Sequence, residues 1–148
     1  MQKSLFYLLI ALLMCPAGMS LAQDISTDPR FLAGGWKINM ELQLPAVRSE
    51  NSAVTKKYPE ERWDDLYNTL ESRIYLFSED GSFRATWVAG GQFSSVSGSW
   101  KYGENGILTI STVGNEISYR VVLQDGNMSW IPLQRTSGIV HQIHLNRI

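Results

Sequence analysis

From Trp36 onward the chain alternates. Trp36, Ile38, Met40 and Leu42 fall on one face of an extended segment, and Lys37, Asn39 and Glu41 fall on the other. That is the pattern of a strand with one wet side. Residues 43–58, QLPAVRSENSAVTKKY, carry no such period and hold Pro45, Ser49, Asn51 and Ser52; they read as a long loop. In PEERWDDLYNTLES, residues 59–72, the period changes. Trp63, Leu66, Tyr67 and Leu70 recur at i, i+3, i+4 and i+7, behind Pro59 and the acidic pair Glu60 and Glu61. Pro suits a first helical turn and carboxylates suit its positive end, so this stretch is predicted to be a helix.

After Arg73 the pattern is strand and turn throughout. The predicted strands are 73–78, 82–88, 94–102, 107–113, 116–123, 128–133 and 139–148. The breaks between them read SEDG, AGGQ, GENG, GNE, QDGN and RTSG. Each is short and rich in turn formers, so each should reverse the chain into an antiparallel neighbour. With the strand at Trp36 the total is about eight, the number at which a meander can close and remove its exposed edges. The predicted fold is all-β: an eight-stranded antiparallel up-and-down barrel with one short helix between its first and second strands.

Alternation also predicts an inner face. It contains Trp36, Ile38, Met40, Phe83, Ala85, Trp87, Val96, Gly98, Trp100, Leu108, Ile110, Ile117, Tyr119, Val121, Met128, Trp130, Ile139, His141, Ile143 and Leu145. Two interiors fit this list. One is a cup for a small apolar ligand, lined by Met40, Trp87, Tyr119, Trp130 and His141, with Trp63 and Tyr67 of the helix as a lid. The other is a barrel filled by its own tryptophans, with the helix a plain plug, since four of the five tryptophans lie on the inner face.

The first residues belong to a different pattern. Lys3 precedes the apolar run LFYLLIALLM, which is too short to span a bilayer comfortably, and Ser20-Leu21-Ala22 has the small-x-small form of a cleavage site. Residues 1–22 are therefore expected to be a signal peptide, residues 23–32 a lead-in, and residues 33–148 the barrel domain of a secreted or periplasmic protein. The single cysteine, Cys15, lies inside that signal. A lipid anchor there is disfavoured, because Met14 stands where lipid-modification sites want a small residue. The mature chain would then have no thiol and no disulfide, so its stability must come from packing.

Cleavage removes one cation, Lys3, and no acid, leaving 12 basic and 14 acidic residues and a net charge of −2. No basic stripe favours nucleic acid, and no further apolar run is long enough to span a membrane as a helix. Catalytic signatures are also missing: there is no G-x-S-x-G elbow, P-loop or dinucleotide fingerprint. The carboxylates cluster at the helix start and in turns. HQIH, residues 141–144, places its histidines on opposite faces of a strand and is a poor chelate. His141 fits a polar handle for a ligand, an axial ligand to haem, or a histidine bonded to a neighbour. No catalytic residue, metal or cofactor is expected.

Gly34-Gly35-Trp36, then LFSEDGSF at 76–83 and GSWKYGENGILTI at 98–110, resemble the motifs of secreted bacterial lipocalin-like domains, which are calycin-type barrels. The resemblance covers residues 33–148. It implies a barrel that binds small hydrophobic molecules, with Trp36 packed on Arg147 as its structural closure. The functional expectation is binding of such a ligand without turnover. The alternative is a filled barrel acting as a protein-interaction module of the cell envelope.

Overall fold

The computed structural model describes residues 28–50, 59–103, 105–134 and 140–148. The signal-peptide reading of residues 1–22 lies outside them. The structure is the closed eight-stranded barrel that the alternation predicts. Its strands are β1 (Gly34–Ile38), β2 (Ile74–Phe77), β3 (Ser82–Ala89), β4 (Gln92–Tyr102), β5 (Ile107–Thr112), β6 (Asn115–Gln124), β7 (Asn127–Pro132) and β8 (Ile143–Arg147). Each pairs antiparallel with the next, and β8 closes on β1 through Trp36 opposite Arg147 and Ile38 opposite Leu145. Between β1 and β2 lie two helices, α1 (Met40–Glu50) and α2 (Glu61–Glu71).

The first helix corrects the strand expected to continue through Leu42 and, over residues 43–50, the expected loop; residues 51–58 lie outside the described residues. Asn39 explains the change. Its side-chain Oδ1 accepts the Leu42 N–H at 3.3 Å, and its carbonyl accepts the Gln43 N–H at 2.8 Å. This is an N-cap, and it competes directly with strand continuation. Pro45, read as a loop residue, sits inside α1, at the cost of one ladder bond.

Leaving the strand after Ile38 would strand the backbone of β8, and a side chain repairs the loss. Asn39 N–H still bonds the His144 carbonyl at 2.8 Å. Its own carbonyl is diverted into the helix, so Gln43 Oε1 accepts the His144 N–H instead, at 2.8 Å. Gln43 Nε2 donates to the Gln142 carbonyl at 2.8 Å. The primary amide thus occupies the place of a strand peptide group, and Gln43 is fully buried. On the far side of the helical insert Ser72 acts similarly, its hydroxyl accepting the Val88 N–H at 3.0 Å where β2 has not yet begun.

One end of the barrel is sealed. The lead-in makes a 3-10 turn at Pro29–Phe31 and places Leu32 in the core. The Trp36 indole donates to the Leu32 carbonyl at 2.8 Å. Arg147 lies over the Trp36 ring, 5.6 Å from its centroid, and donates from Nη2 to the Ala33 carbonyl at 2.8 Å. Gly34 passes beneath that guanidinium with φ +122°, and a Cβ there would approach Nη2 to 3.1 Å. The two glycines before the tryptophan therefore have a steric reason: Gly34 needs a conformation L-residues avoid, and a Cβ on Gly35 would collide with Ile148.

Above this seal runs a continuous aromatic core. Trp100 meets Phe77 edge-on at 5.5 Å, Phe77 meets Trp130 at 5.6 Å, and Trp130 meets Tyr75 at 5.0 Å and Tyr119 at 5.5 Å. Leu108, Met128 and Leu145 complete it. Filling is thus real in this half of the barrel. Trp130, 1% exposed, is where it stops.

Candidate functional site

Beyond Trp130 the barrel is open. A cavity of about 320 Å³ lies among inward residues of seven strands and Arg73, which directly precedes β2. The volume falls at the small end of the range for ligand pockets. Its apolar wall is Phe83, Ala85, Trp87, Val96, Ile110, Ile117 and Ile143. These alternate with exposed residues such as Arg84 and Arg120 along their strands, so the pleat itself delivers the lining. The exposed Asn115 is also part of the wall, so the cavity reaches solvent beside the β5–β6 turn. This end is opposite the Trp36 seal, since Thr112, Asn115 and Ile74 lie at the far ends of their strands.

The structure divides the residues expected to form the site. Trp87, Tyr119 and Trp130 line the cavity together. Met40 does not, because it begins α1 instead of continuing β1; it packs against the core from the helix. His141 does not either. It precedes β8, which starts at Ile143, and Ile143 takes the lining position. His144 points to the outside of the barrel, its Nδ1 2.8 Å from the Ser129 hydroxyl.

The two residues expected to form a lid are not part of the cavity wall. Leu70 and Leu66 are the residues of α2 that join the core. Tyr67 is 40% exposed, and Trp63 packs with α1, its ring 5.9 Å from the Arg48 guanidinium carbon. Neither borders the cavity. Trp36 and Arg147 meet at the sealed end, as described above.

Sequence reasoning missed Arg73 and Tyr75. The signal was available: Arg73, Tyr75 and Phe77 share one phase, and Tyr75 and Phe77 are buried core residues. Arg73 lies against the Trp87 ring, its guanidinium carbon 4.9 Å from the centroid, a stacked cation–π contact. Among the described residues it is the one charged residue in the cavity wall. Its guanidinium also stands beside the Tyr75 hydroxyl.

Burial sets the protonation of both phenols in the wall. Desolvation pushes the Tyr75 hydroxyl up from its ordinary value. Tyr119 is pushed up to about 12, chiefly by burial and further by the neighbouring Tyr75. Both remain neutral O–H groups at physiological pH. No group of three or more potential metal ligands occurs among the described residues. Among the described residues the wall contains no histidine, cysteine or carboxylate.

The barrel topology is compatible with a calycin-type fold. Comparison of the chain with protein-family models, curated proteins and solved structures finds no match. The functional reading therefore rests on the site itself.

Proposed function

We propose that this protein binds a small, mostly apolar molecule inside the barrel and releases it unchanged. The observation that carries the reading is the half-filled interior: a packed aromatic floor at Trp130 below an apolar cavity of about 320 Å³ that reaches solvent. Apolar burial supplies affinity, at roughly 25 cal/mol per Å² removed from water. The motif resemblance to secreted lipocalin-like domains points the same way.

The test uses N-phenyl-1-naphthylamine, a neutral apolar fluorophore. The wild-type protein should bind it saturably, one to one, with quenching of tryptophan emission. Ala85→Trp should block binding while the protein stays folded, because Ala85 is a small residue on the cavity wall. Absence of saturable binding, or binding that Ala85→Trp leaves untouched, refutes the reading.

The proposed setting is the periplasm or the medium, reached through a signal peptide removed after Ala22. Its support is the Lys3, apolar-run and Ser-Leu-Ala pattern of residues 1–22. N-terminal sequencing of protein from a cell-envelope or culture fraction should begin at Gln23. A lipid-modified start at Cys15, or an intact Met1 in the cytoplasm, would overturn this part.

The second reading, an interaction module of the cell envelope, has one observation in its favour. Phe93 on β4 is 68% exposed, and Val113 in the β5–β6 turn is fully exposed. A specific partner lost on Phe93→Ser, in a protein that binds no apolar probe, would favour it.

A further inference from the structure

The polar atoms of the cavity wall are unbalanced. Arg73 Nε and Trp130 Nε1 are both buried and have no hydrogen-bond partner. Both residues line the cavity, and Trp130 is almost wholly buried. A buried donor left without an acceptor is costly, and a native protein that keeps two on one cavity wall calls for an explanation. Among the described residues no carboxylate forms an ion pair with Arg73; the single ion pair joins Arg30 to Asp28, well away from the cavity.

The deep wall offers the guanidinium a neutral partner but no negative charge: the Tyr75 hydroxyl beside Arg73 accepts from it, Tyr75 and Tyr119 both keep their protons, and the remaining deep residues are apolar. Asn115 and Thr112 carry acceptor oxygens but lie at the mouth, in or beside the β5–β6 turn. The cavity thus combines one fixed cation and several N–H and O–H donors with an apolar body. Water brings no charge to match the guanidinium, and an apolar ligand with no acceptor would bury that charge uncompensated.

We infer that the ligand is a small apolar monoanion, a carboxylate-type head group on a hydrocarbon or aromatic body, held by the Arg73 guanidinium with the body on Phe83, Trp87 and Ile143. This deepens the binding reading above and rests on it. The Trp87 ring, 4.9 Å from the guanidinium carbon, already holds Arg73 in the wall, so less side-chain entropy remains to be lost when an anion docks.

Two chain-matched probes test the charge separately from the cavity: octanoate and 1-octanol, each titrated calorimetrically into the full mature protein. The wild type should bind octanoate about tenfold or more tighter than octanol, as expected for a charge-assisted hydrogen bond. Arg73→Met, which keeps an unbranched stem against Trp87, should lose that preference by weakening octanoate while octanol stays within about twofold. Arg73→Gln, which keeps a donor and drops the charge, should fall between. If neither substituted protein folds, the wild-type preference alone still decides. Equal affinity for the two probes in the wild type overturns the anion inference and leaves the cavity reading standing. A preference for octanoate that survives in folded Arg73→Met also overturns it. Failure of both octanoate and octanol, with N-phenyl-1-naphthylamine also unbound, removes the cavity reading itself.

Discussion

Trp36→Ala should lower the free energy of unfolding by about 3–5 kcal/mol, as large aromatic truncations in a packed core do. The ring is 4% exposed, its indole N–H is satisfied by the Leu32 carbonyl, and Arg147 covers its face. Truncation removes both contacts and leaves Leu32 facing a void at the sealed end. Urea denaturation at fixed pH reads the loss as a fall in midpoint. The cavity lies beyond Trp130 at the other end, so the folded fraction should bind N-phenyl-1-naphthylamine as before. A loss under about 1 kcal/mol would show that the seal is not built on this residue. Loss of probe binding in the folded mutant would show that the two ends are not independent.

The second large effect falls on Gln43. Gln43→Leu should cost about 2–4 kcal/mol, because it leaves the half-buried His144 N–H and Gln142 carbonyl without their partner. The His144 amide should also lose protection in hydrogen exchange, a local readout that a general loss of packing would not single out. Gln43→Glu gives a pH test. Its carboxylate keeps an acceptor for His144 but has no donor for Gln142. Its protonated form restores the donor. Burial raises the folded-state pKa of such a group above its unfolded value. The repaired bond is therefore present at low pH and is lost as pH rises through the folded pKa. Gln43→Glu should be closest to wild type in acid and fall away toward neutrality. A flat difference across that range would refute the amide's role as a substitute peptide group.

Much of the barrel was legible because each of its strands has one wet face. Phe83, Ala85, Leu108, Ile110, Tyr119, Val121, Met128 and Trp130 all point inward as their alternation requires. The turns carry their own chemistry, as at Asp125-Gly126, where both residues take positive φ.

The region that misled is Trp36 to Leu42. Its period-two pattern runs on after the strand has ended, and Met40, Leu44 and Val47 also fit a helix face. The deciding signal was Asn39, a good N-cap residue placed directly before Met40. Pro45 argued the other way and was outweighed by tertiary packing, with Val47 fully buried.

The candidate site was half legible for a related reason. Trp87, Tyr119 and Trp130 were readable from phase alone. His141 and Met40 fall outside the cavity wall because phase carries no information beyond the end of a strand, and both lie just outside one. Arg73 went unread because charge on a barrel strand suggests solvent. Its place in the wall depends on the partner ring of Trp87, which sits on another strand.

The seam between β1 and β8 bears on when this fold can form. Arg147 reaches Ala33 across 114 positions of sequence, and the β1–β8 pairs span similar separations. Loop-closure entropy must be met before such contacts return anything. During synthesis β1, α1 and α2 leave the ribosome long before β8, and Gln43 has no strand to complete until residues 142–144 arrive. Hairpins from β2 to β7 can pair locally in the interval. The ring itself can close only once β8 is present, and a nascent chain without β8 would present the apolar face of β1 and an unpaired β7 edge to any protease or chaperone nearby.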